Sequence, residues 1–191
     1  RFLNYGLKFN SWPGYKCGIS ENEFNYFKAS IKKASQKNLW FTEEMINNSL
    51  ENWSNNLNED NIDVWLSKYK IPTNINKNVL VICAGNLPLV GLHDVLCCIV
   101  LGLNVQVKLS KKDDVLIPLI IKLLSLFDEN IKKQVVVLKE KPKDFDLVIA
   151  TGSDNSNRYF DYYFGEYPHI FRKNRTSVAV IDDHVTDNQL L

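Results

Sequence analysis

The stretch VLVICAGNLPLVGLHD (Val79–Asp94) sets a β-branched apolar run against a turn of small residues and then a helical pattern. Val79–Ala84 carries no alternating polar residues, so it reads as a strand buried on both faces. Gly85 permits close approach of the backbone, and Pro88 suits the first turn of a helix. That helix is predicted from about Leu89 to Leu101, with Gly102 as its stop.

The same alternation continues downstream. Val105–Leu109 (VQVKL), Val135–Leu138 (VVVL), Leu147–Thr151 (LVIAT) and Ser177–Ile181 (SVAVI) read as further strands. Helices are predicted between them at Asp114–Phe127, where Pro118 lies near enough to the start to be tolerated, and at Asn155–Phe164. Strands alternating with helices imply crossover connections and a parallel sheet. The expected fold is therefore α/β, a Rossmann-like parallel sheet with flanking helices.

Upstream the texture is helical. Glu21–Lys37 spaces Phe24, Phe27, Ile31 and Ala34 along one face, and Ser20 with Glu23 forms a capping-box pattern. Thr42 opens a second helix with Glu43 and Glu44 in its first turn and Met45, Ile46, Leu50, Trp53 and Leu57 on its apolar face. A third is predicted from about Asn61 to Tyr69, with Ile62, Trp65 and Leu66 inward and Pro72 as its terminator. The division read here is a helical segment over 1–72, with Thr73–Asn78 as the connector, and an α/β domain over 73–191.

Composition narrows the classes. The chain has 191 residues, 45% of them hydrophobic, and a net charge of +1, which suits a globular protein with a real core. No basic run interleaved with aromatics points to nucleic acid, and no apolar stretch is long enough to span a bilayer. Cys17, Cys83, Cys97 and Cys98 form no C-x-x-C pair and no metal spacing, so four reduced, mostly buried thiols and a cytoplasmic location are expected. Arg1 at the start and the polar DDHVTDNQ before the final Leu190-Leu191 suggest a portion of a longer protein.

In open parallel sheets ligands bind beyond the carboxyl ends of the strands, so the residues there carry the functional reading. Asn86 either caps the following helix or donates a hydrogen bond to an oxyanion. His93 and Asp94 lie one turn into that helix and read as structural. Lys108, with Lys111 and Lys112 beside it, suits an adenosine ribose carrying a 2′-phosphate, or is a solvated turn in which Asp113 and Asp114 cap the next helix. Thr151, Gly152 and Ser153 precede a helix whose free N–H groups suit a pyrophosphate. The aromatic stripe Tyr159, Phe160, Tyr163, Phe164 reads as core. The basic Arg172–Ser177 is either a phosphate contact or a solvated loop. No G-x-G-x-x-G and no Walker A sequence occurs.

Three segments together carry a resemblance: AGNLPLVGLHDVL (Ala84–Leu96), VKLSKKDDVLIP (Val107–Pro118) and IATGSDNSNRYFDYYFGEYPHIFRKNRTSVAV (Ile149–Val180). They resemble the long-chain fatty acyl-CoA reductases of bacterial luminescence and their relatives in other bacteria, members of the aldehyde dehydrogenase superfamily. The likeness covers Val79 to Ile181, and NLWFTEEMINNSLENW (Asn38–Trp53) shares the family's look. The resemblance implies that Asn86 lines the oxyanion hole, that Lys108 binds the adenosine ribose with Ser110 following in the same pattern, and that Gly152 and Ser153 meet the cofactor pyrophosphate. Lys111 replaces the acid that often favours NAD, which implies NADPH, with NAD as the alternative. Leu109 departs from the proline of many relatives.

The implied activity is an oxidoreductase that reduces a fatty acyl-CoA, or an acyl group on a partner protein, to a fatty aldehyde through a cysteine acyl-enzyme. In that family the nucleophilic cysteine lies in a downstream domain, and none of the four cysteines here has a matching context. The chain by itself is therefore expected to be inactive. Two other classes stay open: a stand-alone nucleotide-binding module, and a protein-interaction module forming a homo-oligomer or docking an acyl-transfer partner.

Overall fold

Strands β1 (Asn78–Ile82), β2 (Asn104–Lys108), β3 (Val135–Val137), β4 (Leu147–Thr151) and β5 (His169–Arg172) form one sheet in the computed structural model, which describes residues 2–71, 75–173 and 178. All four pairings are parallel, and the strand order is β3-β2-β1-β4-β5. The first two crossovers step outward from β1 on one side, and the chain then returns to β1's other side for β4. The strand order thus reverses between β1 and β4.

Four helices precede the sheet: α1 (Phe2–Lys8), α2 (Glu21–Lys37), α3 (Glu43–Asn56) and α4 (Glu59–Leu66), with a single 3-10 turn at Tyr15–Cys17. The capping box of α2 forms, with the Ser20 hydroxyl accepting from Glu23 N–H and the Glu23 carboxylate accepting from Ser20 N–H at 2.8 Å. Thr42 caps α3 through Met45 N–H. Helices α5 (Leu92–Val100), α6 (Leu116–Phe127), α7 (Ile131–Gln134) and α8 (Asp154–Phe164) alternate with the strands.

Side chains alternate across the sheet, which divides the core in two. Val79, Val81, Val105 and Val107 face α2, α3, α5 and α6, in one continuous cluster with Phe24, Phe27, Ile46, Leu50, Leu92 and Leu116. The helices before the sheet therefore share their apolar core with it. Phe24 and Phe27 are fully buried, and each such side chain stabilises the fold by about 1.5–3 kcal/mol. On the opposite face Leu80, Val148 and Ala150 pack against Phe160 and Phe164 of α8, with Phe145 and Phe171 alongside.

The differences from the sequence reading are local. Helix α5 begins at Leu92, not Leu89, because Leu89 takes the left-handed region at φ 61° and Pro88 lies in the turn before it. Gly102 ends that helix at φ 70°. Helix α4 runs Glu59–Leu66 rather than Asn61–Tyr69, since Asn58 caps it, and Ile62, Trp65 and Leu66 are only half-buried. Asp114 does not cap α6 but pairs with Lys37 at 2.7 Å, whereas Asp113 faces the first N–H of α6, at Leu116, and also accepts from Leu89 N–H in another loop. In the aromatic stripe Phe160 and Phe164 pack inward, but Tyr159 and Tyr163 are exposed. The strand after α8 is HIFR, which the sequence reading missed. The strand expected at SVAVI, the terminator Pro72 and most of Arg172–Ser177 lie outside the described residues.

Among the described residues no helix is long and apolar enough to cross a membrane, and no group of three or more His, Cys, Asp or Glu could hold a metal ion.

Candidate functional site

Parallel strands bring every strand-to-helix turn to one edge of the sheet. Register fixes their heights there: Ile82 of β1 lies beside Lys108 of β2 and Ala150 of β4, and Thr151 lies beside Arg172 of β5. The turns holding Asn86, Ser110 and Gly152 therefore leave the sheet at one rim, with β1 in the middle. The strand order reverses between β1 and β4 at this rim, the usual ligand position in such sheets.

The turns after β1 and β2 are in direct contact. A Cβ on Gly85 would lie 2.5 Å from Ser110 Oγ and 2.7 Å from Ser110 Cβ, so the glycine is what lets them meet. Ser110 Oγ also accepts from Lys112 N–H at 3.2 Å. A second tie is buried: Leu89 N–H donates to Asp113 Oδ2 at 2.9 Å. Burial pushes the Asp113 carboxyl up from its ordinary range, while the N–H groups of Leu89 and Leu116 pull it back down. Asn86 stands exposed on this braced turn, and its side chain makes no hydrogen bond among the described residues. It does not cap α5, whose N-cap is Gly91.

Lys108 ends β2, half-buried, and its Nζ donates to Glu140 O at 3.2 Å, so the amine leans towards the turn after β3 and away from β1. Lys111 is exposed on its turn.

The turn after β4 is the most constrained. Gly152 N–H donates to Arg172 O at 3.1 Å, so this amide is engaged rather than free. A Cβ on Gly152 would lie 2.8 Å from Ser156 Cβ and 3.0 Å from Phe160, which ties the glycine to close packing of α8 against β4. Ser153 caps α8 by accepting from Ser156 N–H at 3.3 Å. Asn157, buried one turn into α8, donates to Ser153 O at 3.0 Å and Gly152 O at 3.3 Å, with Arg172 O at 3.5 Å. Three carbonyls around one nitrogen fix the orientation of that amide.

Asp94, which read as structural, and Arg172, the first residue of the segment read as a phosphate contact or a solvated loop, meet at the same rim. Asp94, in the first turn of α5, is buried and receives Arg172 Nη2 at 2.8 Å and Nε at 3.3 Å. The hydrogen bonds that the guanidinium donates to Asp94 push its pKa further up. Each residue was visible in the sequence, Asp94 in a helix first turn and Arg172 at the head of a basic segment, but no local signal pairs them across 78 residues.

Three of the cysteines are held towards the thiol form. Burial raises Cys83 and Cys98 to about 12, with Asp94 adding to both. Cys97 is also raised, mainly by burial. All four are free, and Cys97 alone is not buried. An apolar cavity of about 270 Å³, lined by Phe2, Leu57, Leu96, Leu123, Leu124 and Phe127, lies towards the end of α6 remote from the rim.

Fold and rim together define an open, all-parallel α/β sheet, flanked by helices, with glycine-dependent turns on either side of a strand-order reversal. No protein-family model matches the chain, and no curated protein matches it.

Proposed function

We propose that the chain is the NADPH-binding portion of an acyl thioester reductase that forms a fatty aldehyde, akin to the aldehyde dehydrogenase superfamily. The observation that supports this reading is the strand-order reversal between β1 and β4, flanked by turns in which Gly85 and Gly152 have no room for a side chain. Such a reversal in a parallel sheet is a general site for nucleotides.

The rim's chemistry fits the cofactor. The Gly152–Ser153 turn leads into a capped helix whose dipole favours an anion. Lys111, exposed after β2, is a cation where an acid would repel a 2′-phosphate. Lys108 would reach the ribose by releasing Glu140 O. NADPH supplies hydride to the acyl carbonyl when bound. Asn86, exposed and with its amide free of partners among the described residues, would steady the negative oxygen, and loss of such a donor typically costs about 10²–10³ in turnover. The cysteine nucleophile of this chemistry is assigned to none of Cys17, Cys83, Cys97 or Cys98.

The test is fluorescence titration of the chain with NADPH and NADH. NADPH is expected to bind more tightly, and Lys111→Glu to weaken it roughly tenfold or more, as for loss of a charge-assisted hydrogen bond. Binding of NADH with no response to NADPH overturns the preference. A Lys108→Ala chain with wild-type affinity overturns the ribose assignment.

A further inference from the structure

We propose that Arg172 is the anion-binding side chain of this rim, that Asp94 is its positioning residue, and that the group it takes is a diphosphate. The inference rests on reading the rim as a nucleotide site, and it adds a contact that the resemblance does not assign.

Both ends of Arg172 are held. Its carbonyl accepts from Gly152 N–H and lies 3.5 Å from Asn157 Nδ2, which pins its main chain beside the β4–α8 turn. Its guanidinium reaches the first turn of α5, so the residue spans from β5 past β4 to the helix that follows β1. That path crosses the strand-order reversal between β1 and β4.

The geometry also leaves the arginine able to bind. Asp94, with a side chain 6% exposed, occupies the Nε–Nη2 edge alone. Nη1 donates no hydrogen bond among the described residues, and the Arg172 side chain is 37% exposed. A buried carboxylate on one edge of a guanidinium fixes its plane and presents the other edge outward. A planar fork of N–H donors matches phosphate oxygens two at a time. The capped start of α8, which favours the same charge, opens from the turn that Arg172 pins. A thioester carries no charge, so the acyl group itself would not call for this arginine. A diphosphate occurs in both a dinucleotide and coenzyme A, and the experiment separates the two.

The full chain is titrated calorimetrically with inorganic pyrophosphate, NADPH and coenzyme A at low salt. Arg172→Gln is expected to weaken pyrophosphate at least about tenfold. It should weaken by a similar factor whichever of NADPH and coenzyme A places its diphosphate here. Arg172→Lys, which keeps charge without the fork, should fall between, and it carries the test if the glutamine variant does not fold. Asp94→Asn distinguishes positioning from simple charge. Removing a negative charge would by itself tighten anion binding, whereas loss of the orienting carboxylate weakens it.

Weaker binding in Asp94→Asn supports the positioning role, and unchanged or tighter binding overturns it. A folded Arg172→Gln chain with wild-type affinity for all three ligands overturns the inference while leaving the nucleotide reading standing. Pyrophosphate binding lost in Arg172→Gln, in a chain that binds neither nucleotide, upholds the anion site and sinks the reductase reading. A wild-type chain that does not bind pyrophosphate overturns the inference.

Discussion

The carboxylate of Asp113, 3% exposed, accepts the backbone N–H of Leu89 at 2.9 Å, and this one bond braces the turn after β1 against the turn after β2. Leu89 sits at φ 61°, an uncommon region for a bulky residue, with its own side chain buried. Such backbone persists only where the surroundings over-determine it. Here the surroundings are a buried side chain on one side and an acidic acceptor on the other, and the outcome is an exposed Asn86 on a rigid turn.

Asp113→Ala is expected to destabilise the chain by about 1–3 kcal/mol in urea denaturation, because Leu89 N–H would be buried without an acceptor. The pH dependence follows from the raised carboxyl. A folded pKa above the ordinary 3.8 means that the folded chain binds this proton more tightly than the unfolded chain. Its stabilising contribution is complete below about 3.8 and is lost as pH rises through the raised folded value. Asp113→Asn keeps an oxygen for Leu89 but does not titrate, so its melting temperature should fall less across the weakly acidic range. An unchanged slope would remove Asp113 as the source.

Gly85→Ala should separate two turns that now touch, since its Cβ would meet Ser110 Oγ at 2.5 Å and Lys112 Cβ at 3.0 Å. Crowding of this kind typically costs about 1–3 kcal/mol. Adding Ser110→Gly removes one of the two obstacles, so the double variant is expected to be more stable than the sum of the single effects. Strict additivity in a thermal-denaturation cycle would mean that the turns do not meet in solution.

Thiol labelling reads the core near the rim. With their pKa raised to about 12, Cys83 and Cys98 are thiolate in about one molecule in ten thousand at pH 8. Iodoacetamide should therefore modify both only after denaturation, and Cys97 more slowly than a free cysteine. Rapid labelling of Cys83 in the folded chain, followed by mass spectrometry, would contradict the buried environment of β1's end.

Strands β1, β2 and β4 and helix α2 were legible from the sequence because each carries its own periodicity. The capping box at Ser20 and Glu23 is equally local. Strand β5 was not legible, since HIFR puts His169 and Phe171 on one face and Ile170 and Arg172 on the other, with no apolar run to mark it. The start of α5 was missed for a related reason: Pro88 gives a true local signal for a helix start, and the left-handed Leu89 behind it depends on a residue 24 positions away. The candidate residues Asn86, Lys108, Lys111, Thr151, Gly152 and Ser153 were named from their places at or after strand ends, and Ser110 from the resemblance. What surrounds each of them was not.

Spacing of apolar residues along the chain determined that there would be strands alternating with helices, and hence parallel pairing, because that pattern is a property of neighbours within a few positions. Only the tertiary structure decided that Arg172 meets Asp94 across 78 residues and that Gly85 touches Ser110. Contacts between chain segments far apart depend on how whole elements pack, and no short window of sequence encodes that.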